Sequence, residues 1–168
     1  GIGIGGTTAG AGGVAFPATA VAVTDVNNLD DYKEGTWTPT ITFATAGDLA
    51  VTYSVQVGTY VKIGKRVFLD FAITTSAFTH TTASGNLQVS SLPYTAETLA
   101  SAQATGTAQW QGITKAGYDQ IVPRIISAAG VVTFMGAQSG AAQSLVVVAD
   151  VPTGGSVVLR GSIAYNAA

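Results

Sequence analysis

Cysteine is absent from the 168 residues, which excludes disulfides, thiol nucleophiles, Cys-ligated zinc and iron–sulfur clusters. Charge is scarce too. Only 10% of the residues are Asp, Glu, Lys or Arg, against about 25% in ordinary soluble domains. The seven basic residues are scattered and the net charge is −2, so the sequence carries no electrostatic footprint for nucleic acid. No apolar run reaches the roughly 18 residues that a membrane helix requires. The N-terminus lacks the basic start of a signal peptide, and glycine interrupts its apolar stretch. What replaces charge is Thr, Ser, Gln, Asn and 21 Gly. Such a surface fits a subunit that hides part of itself against other copies, although hydroxyls and amides also hydrate well.

Residues 1–28 are nearly chargeless and dense in Gly and Ala. Alone they bury too little apolar surface to offset backbone ordering. Ile2, Ile4, Val14, Phe16, Val21 and Val23 make them too apolar for a solvated linker. An extended stem ordered against identical strands is the expectation. The match of Gly1, Gly3 and Gly6 to GxGxxG has no strand before it and no helix after it, so it carries no nucleotide.

From Trp37 onward, short β-rich runs alternate with turn residues: 36–43, 51–58, 59–63, 66–76, 86–92, 101–110, 120–127, 131–136, 144–149 and 155–165. Only the stretch near residue 95 has a helical possibility, and its apolar spacing is poor. The expected fold is all-β, an antiparallel β-sandwich of jelly-roll type. It divides the chain into a stem (1–28) and a head (29–168). Gly64-Lys65 separates two such runs and suits a type II′ turn. That turn sets Ile63 opposite Arg66, Val61 opposite Phe68, and Tyr60 opposite Leu69. Tyr60, Val67, Leu69, Phe71 and Ile73 then share a core face. Val61, Ile63 and Phe68 share the other, which predicts that a further layer or subunit covers it.

The strings LDDYKEGTWTPTITF, VTYSVQVGTYVKIGKRVFLDFAIT, GNLQVSSLPYT and VADVPTGGSVVLRGSIAY resemble the C-terminal region of bacteriophage tail-fibre proteins. The resemblance covers about residues 16–168. It implies a homotrimeric fibre whose tip meets the bacterial surface, in company with other virion tail proteins. It brings no catalytic motif. Lys33 stands where that family commonly has an acid, and residues 110–121 match it only loosely. On this reading residues 29–35 form the neck, where charge and Gly35 stop the stem's pairing and Trp37 and Pro39 begin the head.

Chemistry has few candidates. Asp25, Asn27, Asn28, Asp30, Asp31 and Glu34 offer oxygen ligands, but Leu29 and Asp30 occupy positions that a calcium loop gives to a ligand and a glycine. His80, the sole histidine, reads as a surface-loop residue, and no metal or cofactor is expected. No nucleophile elbow marks any serine. Outside the neck, Asp48, Asp70, Glu97, Asp119 and Asp150 are dispersed, whereas glycoside cleavage needs two carboxylates across one bond. Carbohydrate binding needs only an aromatic platform and polar partners. Phe78, Tyr94, Gln109 and Asn86 are possible contributors, and Trp110, Gln111, Tyr118 and Asp119 form the preferred set. The function expected is non-enzymatic adhesion to a surface glycan. A purely structural virion module and a polysaccharide-degrading tip are the alternatives.

Overall fold

The computed structural model describes residue 29, residues 31–98 and residues 103–168. The stem expected over 1–28 lies outside these residues, as does Asp30. The described chain is all-β. Its strands are β1 (Tyr32–Trp37), β2 (Thr40–Thr45), β3 (Ala50–Ile63), β4 (Arg66–Thr79) and β5 (Ser84–Ser90). They continue with β6 (Ala104–Gln111), β7 (Gln120–Ile125), β8 (Val132–Ala137), β9 (Ser144–Leu145) and β10 (Val158–Asn166). All pairings are antiparallel, along the path β1-β3-β4-β10-β6-β7-β8-β5-β2, with β9 added beside β8.

The sheet curls until its inner face closes on itself. Phe71 of β4 meets Phe134 of β8 edge-on, ring centroids 6.5 Å apart, although three strands separate β4 from β8 along the path. Phe43 of β2 and Phe78 of β4 meet in the same way at 6.0 Å. Leu69, Ile73, Leu87, Val132, Leu159 and Ile163 fill the enclosed space. Alternation explains which residues are inside: along β4, Val67, Leu69, Phe71 and Ile73 are buried, and Arg66, Phe68 and Asp70 are exposed.

The β3–β4 hairpin has the register that the turn chemistry dictates, with Ile63 opposite Arg66, Val61 opposite Phe68 and Tyr60 opposite Leu69. Gly64 has φ +56°, as the first central position of a II′ turn demands. The core face is the one expected. The opposite face is not covered by the described residues: Phe68 is 47% exposed, Ile63 42% and Val57 55%.

Several element boundaries differ from the sequence reading. Part of the charged neck is itself strand, so the first strand of the head begins before Trp37. Tyr32 to Trp37 run beside β3, Tyr32 opposite Ile63 and Trp37 opposite Gly58. An edge strand tolerates Lys33 and Glu34 because one side of it stays open to water. The run 36–43 is broken at Thr38–Pro39, where the chain turns the corner from β1 to β2. At that corner Trp37 lies over Gly58, where a Cβ would stand 2.3 Å from the indole nitrogen, and its Nε1–H donates to the Asp70 carbonyl (3.1 Å). Runs 51–58 and 59–63 are one strand. Most of 144–149 is not strand, since a 3₁₀ turn occupies Val148–Asp150. The described part of the stretch near 95 is not helical.

Strands β1 and β2 are the two margins of the path. Side chains of β3 hold the start of β2: the Ile41 N–H donates to the Tyr53 hydroxyl (3.0 Å) and the Gln56 amide donates to the Pro39 carbonyl (3.0 Å). These bonds satisfy polar groups that an open margin would otherwise present.

Candidate functional site

Strands β6 and β7 are in register only at Ala104–Ile125 and Thr105–Arg124. Beyond that point β6 stays with β10 as far as Gln111, and β7 stays with β8. The two strands part and open a cleft of about 370 Å³, with Thr107 and Trp110 on one wall and Asp119, Gln120 and Val122 on the other. Through Gly106 and Thr107 it adjoins a depression of about 350 Å³ beside Phe68, Asp70 and Ser162. Through Asp119 and Gln120 it adjoins a hollow of about 300 Å³ reaching Gln138 and Ser139. Together they make one open groove of hydroxyls, amides and two carboxylates, with an aromatic side chain in each of two places. Such a surface can hydrogen-bond a polyhydroxylated ligand and lay apolar area against it.

The loop carrying Asp119 is fastened from behind. Lys115 Nζ donates to Asp150 Oδ2 (2.9 Å), the Thr114 N–H donates to the Asp150 carbonyl (2.8 Å), and the same carboxylate accepts from the Val147 N–H (2.8 Å). Tyr118 is part of this fastening. Its ring lies against Gly136 with the Lys115 ammonium 6.0 Å from its centre, and its hydroxyl donates to the Ala142 carbonyl (2.8 Å).

Of the four residues preferred from sequence, the fold brings Trp110 and Asp119 into one cleft. Trp110 is half-buried and packs against the core, while Asp119 is exposed. Gln111 is exposed at the end of β6, on the face opposite Trp110, and does not line the cleft. Phe78 is wholly buried, so it is not available to a ligand. The half-buried Tyr94 faces Lys62 instead, and Asn86 bridges to Val147. Thr107, Gln120, Asp70 and Ser162 also line the groove, none of them among the binding candidates that the sequence offers. The alternation Thr105, Thr107, Gln109, Gln111 within β6 was the readable signal for a polar outward stripe.

At the neck, Asp31 is committed to Lys62. That lysine is 8% exposed, pairs with the Asp31 carboxylate, donates to the Gly64 carbonyl and lies 5.5 Å from the centre of the Tyr94 ring. Tyr60 meets Tyr94 edge-on at 5.6 Å. Burial first, and then the hydrogen bond with Tyr60, pushes the Tyr94 hydroxyl up to about 12. Glu34 accepts from the Tyr32 hydroxyl (2.8 Å). Among the described residues no three His, Cys, Asp or Glu side chains are grouped to hold a metal ion. His80 is not the surface-loop residue expected. Its ring sits half-buried, edge-on to Phe43 (5.2 Å) and Phe78 (5.5 Å), with Nε2 2.9 Å from the Val151 carbonyl.

No protein-family model matches the chain, and no curated protein matches it. Among solved structures, the Dettilon tailspike protein has a similar fold, with a TM-score of 0.60 and 16% sequence identity over 80% of this chain. The matched part is 24% of that protein, so this chain spans about a quarter of the tailspike's length. At that identity the likeness is one of fold: the curled antiparallel architecture recurs in a segment of a tailspike.

Proposed function

We propose that this chain is the attachment tip of a bacteriophage tail fibre, a virion protein that adheres to bacterial surface glycan without cleaving it. The observation that carries the reading is the splayed β6–β7 groove, lined by both Trp110 and Asp119, on a fold that a phage tailspike also uses. In this reading the head is a jelly-roll-like sandwich that works as a homotrimer on its stem, joined to other tail proteins. The exposed apolar side chains of β3 and β4 support assembly, because Val55, Val57, Ile63 and Phe68 share one side of the sheet. Three weak grooves on one rigid tip give an avidity well above that of a single contact.

Adsorption to host cells tests the site. Trp110→Ala is expected to weaken it about tenfold or more, as loss of an aromatic anchor does. Since Trp110 also packs on the core, the exposed Asp119→Asn provides a second variant with an intact fold. Unchanged adsorption by both would remove the groove from the account.

Cleavage is the second reading, because Asp70 and Asp119 both border the groove. Both are exposed and line different hollows rather than one enclosed pocket, and this supports binding over hydrolysis. Released reducing ends after incubation with host glycan would reverse that preference.

A further inference from the structure

Asp25 and Asp30 aside, every acid of the chain lies among the described residues, and most are committed. Asp31 pairs with Lys62, Glu34 accepts from Tyr32, and Asp48 accepts from Thr81 and Thr82. Glu97 accepts from Asn166, and Asp150 from Lys115. Asp70 and Asp119 differ. Both are exposed, and among the described residues neither carboxylate has a hydrogen-bond or ion-pair partner. All seven cations of the chain are described, and the four lysines that pair with acids pair elsewhere. A surface carboxylate without a partner is ordinarily just hydrated. These two are set apart by position, because both line the groove.

Asp70 shares the depression beside Phe68 with Ser162 and Thr107. The three stand in one row across β4, β10 and β6, a carboxylate beside two hydroxyls. Asp119 shares the cleft with Trp110 and also borders the hollow at Gln138 and Ser139. No cation lines any of the three hollows. Arg160 and Arg124 come near in register, opposite Gln109 and Thr105, without lining them. The groove is therefore acidic at two points and basic at none. We infer that its ligand is an amine-bearing saccharide, with an ammonium group set against Asp119, Asp70 or both, and that acidic saccharides are turned away. Opposite charge draws the amine to a carboxylate, whereas an acid meets like charge. Beside Asp119 the Trp110 ring adds a second attraction, since an aromatic face also draws a cation. Water and salt screen both sites, so the preference is modest and falls as ionic strength rises. This inference rests on the attachment reading and narrows it.

The test titrates the full chain with three tetrasaccharides, of glucosamine, of its N-acetylated form and of galacturonic acid. Low salt and about pH 6 keep both amines and carboxylates charged. The glucosamine tetramer is expected to bind about fivefold tighter or more than the N-acetylated one, the scale of one exposed charge pair. The galacturonate should bind most weakly, and the gap should close at about 1 M ionic strength. Asp70→Asn and Asp119→Asn together should remove the gap, and at least one alone should narrow it. Both residues are exposed and unpartnered, so the fold survives the change. Glu34→Gln, at an exposed acid that lines none of the hollows, should leave the gap intact. An equal loss in Glu34→Gln would mean diffuse attraction to a negative chain and overturn the site. An undiminished gap in the double variant would overturn it too. So would equal binding of the glucosamine and N-acetylated tetramers, or tightest binding of the galacturonate. A chain that adsorbs to bacteria yet binds none of the three sinks the ammonium inference alone. One that binds none and adsorbs to nothing sinks the attachment reading with it.

Discussion

The two faces of the β3–β4 hairpin are made by the same strands and have opposite fates. Inward, Val67, Leu69, Phe71 and Ile73 are buried in the core that the curled sheet encloses, where Phe71 meets Phe134 of β8. Outward, Val57, Ile63 and Phe68 are left exposed by the described residues. The inner face is complete without help, which means that the outward apolar groups are not needed to hold the subunit's fold. Their presence fits a surface with work outside the chain.

The strongest way to break this comparison is to damage the inner face. Phe71→Ala removes a buried ring that packs on Phe134, and is expected to destabilise the subunit by about 3–5 kcal/mol. Chemical denaturation measures it, and a loss below about 1 kcal/mol would show that the inner face is not the fold's support. Outward, Phe68→Ser should change subunit stability within about 0.5 kcal/mol, yet it should lower the concentration dependence of melting that assembly confers. A full core-sized loss from Phe68→Ser in a monomer would erase the distinction between the faces.

The smallest expected effect lies at one end of the same hairpin. Asp48 accepts from the backbone N–H and hydroxyl of both Thr81 and Thr82, and these bonds, led by the Thr81 hydroxyl, hold its carboxyl well below the usual range. A depressed carboxyl stabilises above its unfolded pKa and loses that contribution as pH falls through the folded one. Amide exchange at residues 81–83 should therefore be faster in Asp48→Asn than in the parent at pH 7, and the two should converge only in strong acid. Equal exchange at neutral pH would show that the carboxylate does not hold this loop.

How much of this was legible in advance depends on the range of the interaction. The 63–66 register was readable because Gly64 supplies the turn geometry and alternation on both sides agrees with it. The break at Thr38–Pro39 was not, since it exists only because Trp37 finds Gly58 across the corner. In the groove, Trp110 and Asp119 were legible as residue types. That β6 and β7 part between them is a property of the sheet's curl. Tyr118 looked equally suitable, but Gly136 and Ala142, distant in sequence, claim its ring and hydroxyl.

The two margins of the sheet, β1 and β2, are consecutive in the chain, with only Thr38 and Pro39 between them. A strip with free ends can peel from either end independently. Here peeling of one end pulls directly on the other, and the Tyr53 and Gln56 bonds resist it at the shared corner. Fraying must therefore recruit both ends together, so the sheet is expected to melt as a whole rather than strand by strand.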